Sequence, residues 1–152
     1  MVDVYDALKA VIDSAQSGDF WHGCELWLGY RADLVPTSTQ QARRVSVIRS
    51  NGTIEQSGVT CELLISKGSI VIECQVAELQ ATGSAGMGTI DSRRNAYLAL
   101  DQLIDACTTI VKNTPAYAAI SNPAIAIEHD TDTTAPVYKA WLVISEQSYQ
   151  SQ

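Results

Sequence analysis

The stretch Val137 to Ser145 constrains the fold more than any other part of the chain. Along the strand that it predicts, Trp141 and Val143 fall on one face and Leu142 and Ile144 on the other. A strand wetted on one side alternates apolar and polar residues, whereas one apolar on both sides must be covered on both. The spacing therefore predicts a central strand. Ala124 to His129, with Ile125 and Ile127, predicts another strand just before it, joined through the acidic turn Asp130 to Thr134.

Upstream patterns supply partners. A first helix is expected over residues 3–16, where Tyr5, Leu8, Val11, Ile12 and Ala15 recur at helical spacing, with Asp3 as N-cap and Ser17-Gly18 as stop. Phe20 to Tyr30 is dense in aromatics, and Cys24, Leu26 and Leu28 alternate as a short strand. After the loop Pro36–Gln41, Arg44 to Ser50 alternates again and runs into the turn pair Asn51-Gly52. Val59–Ile65 and Ser69–Ala77 predict a hairpin closed by Ser66 to Ser69, with Cys61 and Cys74 on the core faces of adjacent strands and Glu73 and Gln75 opposite. The longest element is a helix over residues 92–112, striped by Tyr97, Leu100, Leu103, Ile104, Cys107, Ile110 and Val111. Asp91 or Ser92 would cap its start, and Lys112, Asn113 and Pro115 mark its end. Together these elements predict an α+β fold: one mostly antiparallel sheet of about five or six strands packed with two helices, in a single domain over residues 1–152.

Composition narrows the function classes. A chain of 152 residues with 46% apolar content can bury a core without metal or disulfide staples. Its formal charge of −7 opposes gripping nucleic acid or anionic lipid, although DNA could slide past such a surface. No apolar run reaches the ~20 residues of a membrane helix. The acidic opening Met1-Val-Asp-Val-Tyr-Asp6 lacks the pattern of a signal peptide, so a cytosolic site of synthesis is expected. Cys24, Cys61, Cys74 and Cys107 are scattered through apolar patterns and are expected to be free buried thiols.

No constellation of catalytic, metal-binding or cofactor-binding residues stands out. Gly83, Gly86 and Gly88 precede a helix, but their spacing fits neither dinucleotide nor P-loop signatures. A loop that orders against a partner is the plainer expectation. His22 and Cys24 would need two further zinc ligands, and Cys61, Cys74 and His129 show no paired ligand spacing. Cys107 sits mid-stripe on a helix, where burial makes a thiol inert. Asp130 and Asp132 lack the EF-hand pattern, and Asn51-Gly-Thr53 is a turn. An enzyme is therefore not expected.

Charge placement is more informative. Arg93 and Arg94 lie in the first turn of the long helix, where the macrodipole disfavours cations by a few tenths of a kcal/mol. Such a pair suggests an acidic partner surface, for which a neighbouring copy of the chain is a candidate. Arg43 and Arg44 form a second pair at a strand start.

Four features share an order: the helix at 3–16, the hairpin Val59–Ala77, the helix Arg93 to Ile104 and the strand Tyr138 to Ile144. That order, covering nearly the whole chain, resembles the tail terminator (minor tail protein U-like) family of long-tailed bacteriophages. The resemblance implies a virion protein of the tail neck, assembled in the host cytoplasm and without catalytic residues. It implies a homo-oligomeric ring, usually six-fold, that caps the tail tube and stops its growth. Its partners would be the tail tube protein, the head-tail connector or stopper, and a sheath where the tail is contractile. DNA would pass through without specific binding, and no membrane would be involved. A different neck protein (head-closure or head-tail connector) and a small non-viral protein-interaction domain are the alternatives. Sizing separates the last, and tail length in a deficient phage separates the others.

Overall fold

In the computed structural model the chain folds around one mixed sheet whose strand order is β1-β2-β5-β7-β6. The structure describes residues 2–29, 34–37, 40–48, 54–56, 59–61, 69–79, 90–130 and 136–146. The elements in chain order are α1 (Val2–Ser14), β1 (Glu25–Leu28), β2 (Arg43–Ile48), β3 (Ile54–Gln56), β4 (Val59–Cys61) and β5 (Ile70–Ala77). They continue with α2 (Ile90–Lys112), α3 (Pro115–Ala118), β6 (Pro123–His129) and β7 (Val137–Glu146). The fold is α+β, as the alternating and helical patterns predict. β7 is central, with β5 on one side and β6 on the other, and both of its faces are buried from Ala140 to Ile144.

The helices cover one face. Val4 and Leu8 of α1, and Ala96, Leu100, Leu103, Cys107 and Val111 of α2, pack on Val45, Val47, Ile72, Cys74, Val76, Ala140, Leu142 and Ile144. Facing pairs on adjacent strands share a side, which makes this register the basis of the layer: Val45 pairs with Cys74, and Cys74 with Ala140. The opposite face buries Ile48, Val71, Trp141 and Val143. Leu34, Ala42, Ala77 and Val137 form a smaller cluster beside it.

Several expectations need correction. The hairpin Val59–Ala77 does not form as one unit, because β4 pairs with β3 while β5 is flanked by β2 and β7. Residues 62–68 lie outside the described set. The reason is burial: β5 is covered on both faces from end to end, and such a strand is most stable with a ladder on each edge. Cys74 neighbours Cys107 of α2, with the two sulfurs 3.9 Å apart. The sheet also contains one parallel pair, β1 with β2, made possible by the long connection between them.

The helices differ in detail. Asp3 does not cap α1, which already begins at Val2; its carboxylate accepts the Ala116 backbone N–H at 2.7 Å, tying the first helix to α3. Gly18 adopts φ +96°, the left-handed conformation that ends the turn after α1. Gly18→Ala is expected to lower stability by about 1 kcal/mol in urea titration, since a Cβ disfavours that backbone region. α2 begins at Ile90, so Asp91 and Ser92 sit inside its first turn rather than before it. Pro115 ends α2 as expected and then opens α3, an element not expected from sequence, with Thr114 as its N-cap. Tyr97 is exposed on the flank of α2 and stacks on Tyr138, with ring centroids 4.6 Å apart.

Candidate functional site

Among the described residues, three local environments are chemically distinctive: a buried carboxylate on each face of the sheet, a cluster of thiols, and the two open edges. Glu78 follows β5 and is fully buried beneath the first turn of α2. Tyr138 donates its hydroxyl to Glu78 Oε1 at 2.5 Å, and Ser92 donates to Oε2 at 3.1 Å. The Arg93 guanidinium approaches to 4.0 Å. The helix N-terminus favours a carboxylate there, and the Arg93 contact offsets the misfit of a cation in that turn.

Glu73, on the face away from the helices, accepts the Trp141 indole N–H at 2.9 Å and a Gln75 amide N–H at 2.7 Å. Gln75 in turn accepts the Leu34 backbone N–H at 3.1 Å. The alternation that placed Glu73 and Gln75 opposite the core is right, but that second face is covered as well. These two carboxylates are the polar groups that sequence reasoning missed. The signal was available in β7, whose two apolar faces require that β5 beside it be covered twice.

The thiols are structural. Cys24, Cys74 and Cys107 are free and buried, with the Cys74 and Cys107 sulfurs 3.9 Å apart. Burial pushes the Cys24 thiol up to about 12. The neighbouring Cys107 thiol and burial hold Cys74 well above its usual value. In a Cys61→Ser chain, folded protein should leave an aromatic disulfide reagent unconsumed, and unfolding should release reactive thiols. Rapid reaction in the folded state would contradict the packing.

Burial and the hydrogen bond to Glu78 likewise raise the Tyr138 phenol. The unfolded chain loses these protons near 9.0 for thiols and 10.0 for tyrosine, while the folded chain retains them. The stabilisation is thus fully present below those values and is lost as pH rises through the higher folded ones. Unfolding free energy measured by urea titration is expected to decline above the neutral range on the alkaline side.

The arginine pairs separate. Arg44 is only 4% exposed, and its Nε donates to Glu25 Oε2 at 2.9 Å. Arg43 lies 4.5 Å from the centre of the Phe20 ring and donates to the Phe20 carbonyl, while its Nε is buried with no hydrogen-bond partner. Burial lowers its pKa. The expectation that Arg44 faces a neighbour is therefore corrected, because it is buried and paired with Glu25 within the subunit, whereas Arg43 is half-buried against Phe20. Arg93 leans on Glu78, and Arg94 is exposed on α2. Gly83, Gly86 and Gly88, the Asn51-Gly52 turn and Asp132 lie outside the described residues. His22 is exposed whereas Cys24 is buried, so they do not converge. Among the described residues no group of three or more His, Cys, Asp or Glu side chains is placed to hold a metal ion, and no helix is long and apolar enough to cross a membrane.

The open edges are the remaining feature. α2 lies over β5 and β7 and leaves β6 uncovered, so Ile125 and Ile127 are 38% and 44% exposed on the helix side. At the other edge Trp27 and Leu28 of β1 are 38% and 49% exposed. Among the described residues no strand pairs with the outer side of β1 or β6. Natural sheets guard such edges with central charges, proline or bulges. β6 holds its proline at the start and its charge at the end, leaving Ala124 to Ile127 unguarded.

A scan against protein-family models and a search of curated proteins both found no match to this chain. What the geometry defines is a class: an α+β domain whose central strands are buried on both faces and whose edge strands, among the described residues, carry exposed apolar side chains.

Proposed function

We propose that the chain is a structural virion protein, a phage tail terminator that forms a homo-oligomeric ring capping the tail tube. One observation carries this reading: the sheet exposes two different apolar edges, one at each end of its strand order. Two distinct edges suit a head-to-tail contact, which closes into a ring when the rotation between copies is right. The order of α1, α2 and β7 supports the same reading without the expected hairpin, and so does the net charge of −7, since an acidic ring can surround DNA without holding it. In this reading the ring halts tube growth and presents a surface to the head-side connector, and the exposed Arg94 is available to a neighbour's carboxylates.

The experiment is genetic. A phage lacking the protein is expected to make tails of uncontrolled length, measured by electron microscopy. Tails of normal length that fail to join heads would indicate a connector instead. Normal virions would refute a role in the neck.

A further inference from the structure

Resting on that reading, we infer that the ring closes through an antiparallel strand pair between β6 of one copy and β1 of the next. Chain direction carries the argument. β1 runs parallel to β2, while β2 with β5, β5 with β7 and β7 with β6 are all antiparallel. The two edge strands of one copy therefore run in opposite directions. A ring repeats its subunit by rotation without inverting it, so each copy offers its β1 edge to the β6 edge of its neighbour. With the ring axis along the strands, the meeting strands are antiparallel, the geometry in which main-chain bonds are straightest.

The faces match as well. Leu26 and Leu28 pair with Val45 and Val47, which places them on the helix side of β1. Ile125 and Ile127 pair with Ile144 and Leu142, which places them on the helix side of β6. Rotation keeps every helix layer on the same side of the joined sheet, so Leu28 of one copy meets the isoleucines of the next. Glu25, the acid of β1, turns to Arg44, and Ala124 to Ile127 carry no charge, while the exposed Glu128 that follows pairs with Trp141 and so lies on the face away from the helices. A two-fold dimer through β6 alone would leave Leu28 uncovered at the far edge. The head-to-tail pair covers both patches.

Cross-linking tests the pairing. Leu28→Cys and Ile127→Cys change exposed positions, so the native fold is retained, as circular dichroism would verify. Treated with a short bis-maleimide, the double variant is expected to give a ladder of covalent multimers ending at the full ring. Each single variant should give no more than the unmodified chain's background. A covalent dimer from Ile127→Cys alone would show β6 meeting itself and overturn the proposal. A ring on sedimentation with no ladder would overturn this pairing while leaving the ring intact. A monomer on sedimentation would overturn both. As a second measurement, Ile127→Lys is expected to weaken association roughly tenfold or more, whereas Leu98→Lys, an exposed change on α2, leaves it unaltered. Equal loss in both variants would contradict an edge contact.

Discussion

Trp141→Ala is expected to destabilise the chain by about 3–5 kcal/mol, enough to leave much of a domain of ordinary stability unfolded. The indole is 2% exposed and packs with Ile48, Val71 and Val143 on the face away from the helices. Removing it opens a large cavity over β5 and β7 on that face. The same change deletes the N–H that meets Glu73 Oε2 and leaves a buried carboxylate short of a donor. Trp141→Phe separates the two effects. It keeps most of the volume and loses the hydrogen bond, so about 1–3 kcal/mol is expected from that term. Urea unfolding of the two variants measures both. Near-native stability in Trp141→Ala would mean that the second face is not closely packed.

Glu78→Ala is expected to cost about 2–5 kcal/mol, because it removes the acceptor of the buried Tyr138 hydroxyl and of Ser92 and leaves a void. The partners contribute unequally. Tyr138 bonds the carboxylate closely from a buried position, and Tyr138→Phe should cost about 1.5–3 kcal/mol. Arg93 is half-exposed and stands at 4.0 Å, so Arg93→Ala should cost less than about 1 kcal/mol. An Arg93→Ala loss equal to that of Tyr138→Phe would show that the ion pair, rather than the hydroxyl, holds the carboxylate.

These two sites also show where sequence reasoning stops. The centrality of β7 is legible because Trp141, Leu142, Val143 and Ile144 leave no polar face, a purely local pattern. The stripe of α2 is legible for the same reason, apart from Tyr97 on its flank. Partners are another matter. Val59–Ile65 and Ser69–Ala77 lie close in sequence and alternate alike, yet β5 takes β2 and β7 as neighbours because only a central place satisfies both of its faces. Glu73 reads as lying opposite the core and Arg44 as facing a partner because alternation assigns a face but not what covers it. The cover comes from distant segments such as Leu34, which reaches Gln75 across the chain. Glu78 lies just past a strand, where periodicity has ended, and only the docking of α2 buries it. α3 follows a proline that reads equally well as a stop. The edges were legible only in part. Ile125 and Ile127 announce a strand, but their exposure follows from where α2 crosses the sheet.

Self-association is the claim on which the functional reading rests, and sedimentation velocity of the purified chain tests it most directly. A discrete species several times the 16.4 kDa subunit mass, persisting on dilution, is the predicted result. A single 16.4 kDa species at every concentration would contradict it.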